Sequence, residues 1–315
     1  MPFNRCRLSA DYGSDRRRLF RKSYPYFCEY QQKCVPLRIS YECLGDETVA
    51  DSGQILENRT LMEQFNTLLF IMALVGMIVM IALYFVDAGY GKMISSKWGP
   101  AISNKVGWLL MECPVFLVML FFWAKSDVQM TLPYILFFLF FELHYFQRSF
   151  VFPLLMKGNS KMPLVIMAMS IVFNLINGYI QGRWLFELAP SINYYSAEWI
   201  RSWQFIAGTI IFFTGMGINL HSDHVIRNLR KPGDTNHYLP QKGMYKYVTS
   251  ANYLGEIIEW AGFALLTWSF AGLVFLWFTC ANLVPRSNSI YHKYEKEFPD
   301  QFDRQKLKRI FPFIY

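Results

Sequence analysis

The chain has 315 residues, of which 53% are hydrophobic, 18% aromatic and only 17% charged. Soluble domains carry about a quarter charged residues, so this balance excludes an ordinary soluble domain. The net charge of +8 does not indicate nucleic-acid binding, because the Lys and Arg sit in short loops between apolar runs, where membrane topology accounts for them. Residues 1–60 form a polar N-terminal extension with little helix periodicity, expected to be poorly ordered. Its Arg16-Arg17-Arg18 run is followed by no apolar stretch of the signal-peptide kind. Cys6, Cys28, Cys34 and Cys43 have no CxxC spacing, so they do not predict a zinc site. They could form disulfides if the extension is lumenal.

Residues 61–315 are expected to form one membrane domain. Its first span is Phe65 to Val86, free of charge; the second is about Val106 to Trp123, interrupted by Glu112. The third, about Met130 to Phe152, contains Glu142, His144 and Arg148. The fourth runs from about Met162 to Ile180 and the fifth from about Trp203 to Leu220. Between Tyr247 and Pro285 the only charges are Glu256 and Glu259. As one helix that stretch would reach about 58 Å, roughly twice a hydrocarbon core. It is therefore expected to fold back near Trp268–Gly272 and to supply two spans.

Charge distribution tests that count. Basic residues gather in the segments after span one (Lys92, Lys97, Lys105), span three (Arg148, Lys157, Lys161) and span five (Arg227, Arg230, Lys231, Lys242). They gather again in the tail (Lys293, Lys296, Arg304, Lys306, Lys308, Arg309). Basic segments mark the cytoplasmic side. The expected fold is thus an all-α integral membrane protein with seven transmembrane helices, its N-terminus lumenal and its C-terminus cytosolic. Asn58-Arg59-Thr60 then reads as a lumenal glycosylation sequon close to the membrane.

An ionisable residue inside a span is costly and is a functional candidate by default. Glu112 stands alone in its run, two residues before Pro114. Desolvated, it could act as a proton or hydrogen-bond donor; the plainer alternative is a structural carboxyl bonded to a neighbouring helix. Tyr145 could donate to a ligand oxygen, whereas Arg148, three residues on, also fits an arginine that snorkels to the surface. Asn252, Glu256 and Glu259 are spaced four and three apart and share one helical face, which suggests a lined cavity. Interhelical hydrogen bonding is the alternative there.

Gly215 and Gly217 imitate the start of a GxGxxG fingerprint, but Leu220 takes the third position and no strand precedes them, so a Rossmann reading fails. His221, Asp223 and His224 raise a metal reading, but the chain has only five histidines, too few for a histidine-rich di-iron membrane site, and no metal is expected. Arg227, Arg230 and Lys231 could hold phosphates; simple positive-inside charge is the alternative.

Gly215-Met-Gly217-Ile-Asn219, His221-Ser222-Asp223, Leu229-Arg230-Lys231-Pro232-Gly233 and Ala251-Asn252-Tyr-Leu-Gly255-Glu256-Ile-Ile-Glu259-Trp260 resemble the steroid 5α-reductases (3-oxo-5α-steroid 4-dehydrogenases). Trp108-Leu-Leu-Met-Glu112-Cys-Pro114, Leu143-His144-Tyr145-Phe146-Gln-Arg148 and the ending Phe311-Pro312-Phe313-Ile314-Tyr315 are similar as well. The likeness runs from about residue 65 to the end. It implies a seven-helix reductase of the endoplasmic reticulum membrane that uses NADPH and a lipophilic Δ4-3-oxosteroid, amid membrane lipid, with no nucleic acid and no obligate protein partner. It implies that Glu112 and Tyr145 hold the 3-oxo oxygen. It implies that Asn219, His221, Asp223, Arg230, Asn252, Glu256, Arg286 and Tyr294 serve the cofactor. Tyr238 and Lys242 depart from the family pattern, so their contacts are not carried over. Rival expectations are a sister reductase of enoyl-CoA or polyprenols, a membrane methyltransferase, and a transporter that couples cations through the carboxylates of span six.

Overall fold

The computed structural model describes residues 47–86, 98–127, 131–158, 160–230, 234 and 236–315. The chain divides into two units, Met1–Val49 and Ala50–Tyr315, and the second carries the architecture below. The N-terminal cysteines, most of the polar extension, Lys92, Lys97, Lys231, Pro232 and Gly233 lie outside the described residues.

Helices dominate. They are α1 (Glu47–Phe85), α2 (Asn104–Lys125), α3 (Leu132–Leu155), α4 (Leu164–Ser191), α5 (Trp203–Arg227), α6 (Ala251–Thr267) and α7 (Phe270–Glu297). Six are long and apolar enough to cross a membrane; α6, with 17 residues, falls just short of that length. Helix α1 starts at Glu47, well before the apolar run at Phe65, and so includes Asn58. Outward-facing side chains such as Phe70, Ile78 and Leu139 are exposed, as lipid-facing residues must be. The chain is a multi-pass integral membrane protein.

The expected fold-back is present. Helix α6 stops at Thr267, Trp268 takes a left-handed conformation (φ 45°), and Ser269 caps α7 by accepting from the Gly272 backbone N–H at 3.0 Å. A bulky residue in that conformation needs support. The Tyr194 hydroxyl provides it by donating to the Trp268 carbonyl at 2.7 Å.

Two features were not visible in the sequence. Strands β1 (Ala101–Ser103) and β2 (Lys161–Pro163) pair antiparallel and tie together the starts of α2 and α4, a small addition to the all-α expectation. Helices α3 and α4 each contain a π turn, at Gln147–Val151 and Trp184–Leu188, shortly before Pro153 and Pro190. Proline has no N–H and crowds the carbonyl four residues back, so the preceding turn widens.

Helices α5 and α6 touch backbone to backbone. A Cβ on Gly215 would lie 2.2 Å from the Glu259 nitrogen, and one on Gly255 would lie 2.4 Å from the Asn219 nitrogen. Gly208 and Gly262 make the same approach one heptad further along, against Leu266 and Phe212. Rising numbers on α5 meet falling numbers on α6, so the pair is antiparallel. This explains the glycines that imitate a nucleotide fingerprint: Gly215 admits a neighbouring helix, as small residues do in membranes, whereas Gly217 faces open space. Gly215→Ala should therefore destabilise the fold by about 1–3 kcal/mol through overpacking. Gly217→Ala should be neutral or stabilise by up to about 1 kcal/mol. Thermal unfolding in detergent compares the two.

Candidate active site

A cavity of about 310 Å³ is lined by residues of all seven helices. Glu112 and Tyr145 line it with the Trp260 and Phe275 rings. Asp223, Asn252, Glu256, Arg286 and Tyr294 also line it. One compartment thus combines apolar and aromatic side chains with hydrogen-bonding and charged groups.

Helix α3 delivers most of the chemistry. Arg148, set in the π turn, does not snorkel. Its side chain is 8% exposed, its Nη1 donates to Asp223 Oδ2 of α5 at 3.1 Å, and its Nη2 lies 3.8 Å from Glu256 Oε2 of α6. The guanidinium is also stacked 4.6 Å from the Trp108 ring and 4.5 Å from that of Phe152. A cation with two carboxylate neighbours and two aromatic faces suits arginine, whose planar charge is weakly hydrated. One turn earlier, His144 Nδ1 lies 2.8 Å from Glu259 Oε1 in a fully buried pair. Glu142 lies off the cavity lining. Its carboxyl is buried without a hydrogen-bond partner among the described residues.

Asparagines of α4 reach both Glu112 and Tyr145. Asn174 Nδ2 donates to the Met111 carbonyl at 2.7 Å and to Glu112 Oε2 at 3.2 Å. Asn177 Nδ2 donates to the Tyr145 hydroxyl oxygen at 3.2 Å. Neither asparagine stood out in the sequence, because an amide in a span carries no charge. Their spacing, with Gln181 four further on, was nevertheless a signal of the kind read for Asn252, Glu256 and Glu259.

The residues expected to serve a cofactor separate into three placements. Asp223, Asn252, Glu256, Arg286 and Tyr294 line the cavity. Asn219 is buried behind it and donates from Nδ2 to the Asn252 carbonyl at 3.0 Å, bracing the first turn of α6. His221 and Arg230 are exposed and do not line the cavity. The His221 ring packs on Gly243, which has φ +60° and opens the 3-10 turn that carries Tyr245. Tyr245 in turn donates to Asn252 Oδ1 at 3.3 Å. Tyr238 donates to Asp234 at 2.7 Å, and this bond holds the Asp234 carboxyl below its ordinary range. Among the described residues no cluster of His, Cys, Asp or Glu is arranged to hold a metal.

The donor set suits a nicotinamide dinucleotide. Arg286 offers a cation for phosphate, Asn252 can pair with a carboxamide, and the Asp223 and Glu256 carboxylates can accept from ribose hydroxyls.

Comparison with known proteins gives consistent results. A family model described as 3-oxo-5-alpha-steroid 4-dehydrogenase matches residues 160–315. A steroid 5-alpha-reductase of Gossypium hirsutum is 35% identical over 255 residues, which cover 80% of this chain and 97% of the relative. The 3-oxo-5-alpha-steroid 4-dehydrogenase 1 of Mus musculus is 34% identical over 252 residues, covering 79% and 96%. The protein of that name from Homo sapiens is 36% identical over 228 residues, covering 72% and 86%.

Arg148→Met leaves the buried Asp223 and the half-buried Glu256 without their cation. It should cost roughly 3–5 kcal/mol, and adding Asp223→Asn should recover part of that loss. Thermal unfolding of the single and double variants in detergent checks the coupling.

Proposed function

Because the chain belongs to the 3-oxo-5-alpha-steroid 4-dehydrogenase family, we propose that it reduces the Δ4 double bond of 3-oxosteroids to 5α-3-oxosteroids in this cavity, with NADPH as reductant. The observation that carries the reading is the lining itself. Glu112 and Tyr145 line, with the Trp260 and Phe275 rings, the same cavity as Asp223, Asn252, Glu256, Arg286 and Tyr294. These five residues would hold the cofactor. Arg230, exposed at the end of α5, would meet a phosphate at its outer end, while Asn219 and His221 would brace the wall.

When bound, NADPH supplies the hydride that adds to C5 of the steroid. Negative charge then develops on the 3-oxo oxygen as the substrate becomes an enolate. Tyr145 and a protonated Glu112 donate hydrogen bonds to that oxygen, and their preorganisation in a low-dielectric site makes those bonds strong. The Trp260, Phe275 and Phe141 rings around them keep water away from the enolate. Uptake of one proton from the medium at C4 completes the reduction and regenerates the ketone.

The same reading makes α6 the sixth of seven spans, with the N-terminus lumenal, the C-terminus cytosolic and the endoplasmic reticulum as the membrane. Two features support it. The basic segments alternate as that topology requires. Helix directions also fit that order: α5 and α6, consecutive in the chain, run antiparallel, while α2 and α4, two helices apart and meeting at Met111–Asn174 and Phe122–Gly182, run parallel.

Purified protein in detergent, given NADPH and progesterone, should form the 5α-reduced product. Glu112→Gln should lower kcat by about 100-fold while leaving NADPH affinity near normal, because an amide is a poorer donor to an enolate than a carboxylic acid. Collapse of NADPH binding in that variant would place Glu112 in the cofactor site or the fold. Absence of NADPH binding by the unaltered protein would sink the reductase reading.

A further inference from the structure

Behind Tyr145 runs a chain of hydrogen bonds whose direction is fixed at its far end. The Ala271 backbone carbonyl, at the start of α7, can only accept, and it receives Gln181 Nε2 at 2.9 Å. The nitrogen of the Gln181 amide is therefore the atom turned toward this region. The same nitrogen lies 3.5 Å from Asn177 Oδ1. With its oxygen turned to Gln181, Asn177 must present its nitrogen to Tyr145, where it donates to the hydroxyl oxygen at 3.2 Å. Gln181, Asn177 and Tyr145 are all buried. A phenol has a single hydrogen. Since its oxygen receives a bond from Asn177, that hydrogen is left to be donated elsewhere, and Tyr145 lines the cavity.

We propose that Asn177, oriented by Gln181 and the Ala271 carbonyl, is a positioning residue that commits the Tyr145 hydroxyl to donate into the cavity. The inference rests on the reading that Tyr145 meets the steroid 3-oxo oxygen, and it deepens that reading. A freely rotating phenol could spend its hydrogen on a wall residue. Asn177 removes that option, because its near atom is a donor. The aromatic packing prevents the alternative of swinging away: the Phe141 and Trp260 rings lie with centroids 4.8 and 5.7 Å from that of Tyr145. The donor is thus set before substrate arrives, which is the condition under which such a bond accelerates the reaction.

Asn177→Leu removes the donor, and Asn177→Asp puts an acceptor where the donor stood, at almost unchanged volume. Both are compared with unaltered protein for NADPH affinity, for kcat with progesterone, and for binding of progesterone against an analogue that lacks the 3-oxo group. The expected result is NADPH affinity within about twofold of the unaltered protein and kcat lower by about 10- to 100-fold. The preference for the 3-oxo steroid over the analogue should shrink in step. A variant that binds NADPH normally and keeps kcat within about twofold overturns the proposal. Equal weakening of both steroids also overturns it, since a merely structural role would not single out the oxygen. If the leucine variant fails to bind NADPH, the aspartate variant decides; failure of both makes Asn177 structural and overturns the proposal. Failure of the unaltered protein to reduce progesterone is a separate result, visible without any variant, and it removes the steroid reading on which the inference rests.

Discussion

The near-contact of α5 and α6 is the constraint on which the rest of the site depends. Gly208, Gly215, Gly255 and Gly262 bring the two backbones so close that no side chain fits between them. Inside a membrane there is little hydrophobic gain in pairing helices, so close packing and interhelical hydrogen bonds must supply the adhesion. The approach also sets the reach of everything around it. Asn219 can brace the Asn252 carbonyl only because its own backbone lies against Gly255. Asp223 and Glu256 can share Arg148 of α3 only because α5 and α6 present them at nearly the same depth.

From that junction the polar groups fan inward and find partners, as groups away from water must. Arg148 takes two carboxylates, His144 takes Glu259, and the amides of α4 take Glu112 and Tyr145. The result is a cavity in which neutral amides hold Glu112 and Tyr145 while charge pairs hold Arg148 and Glu259. The amides orient those two hydrogen-bonding groups without adding charge of their own beside them.

Much of this was legible in sequence, for identifiable reasons. A run of apolar residues twice too long for a bilayer forces a turn, and the turn stands at Trp268 and Ser269, inside the stretch expected. An amide and two carboxylates spaced four and three apart on a helix share a face, and Asn252 and Glu256 line the cavity while Glu259 faces His144 beside it. What escaped the sequence depended on partners far along the chain. Arg148 is equally well placed to snorkel until Asp223, 75 residues away, is known to face it. Gly215 has the look of a phosphate loop until Glu259 is seen against it. Asn174 and Asn177 pass as tolerated polar residues until Glu112 and Tyr145 appear at their amides.

Residues 308–315 close the structure in a way that bears on the cavity wall. Lys308 and Arg309 lie along the segment just before α6: the Lys308 N–H donates to the Tyr247 carbonyl at 2.8 Å, and the Thr249 and Ser250 N–H groups donate to Lys308 and Arg309. Tyr315 folds back as well, its carbonyl accepting from Ile310 and Phe311 and its hydroxyl meeting that of Tyr84 on α1 at 3.1 Å. Residues 308–315 thus link α1 to the segment before α6, and Thr249, which lines the cavity, donates its backbone N–H to Lys308. The cavity wall is therefore latched from outside, by a residue that does not itself line the cavity.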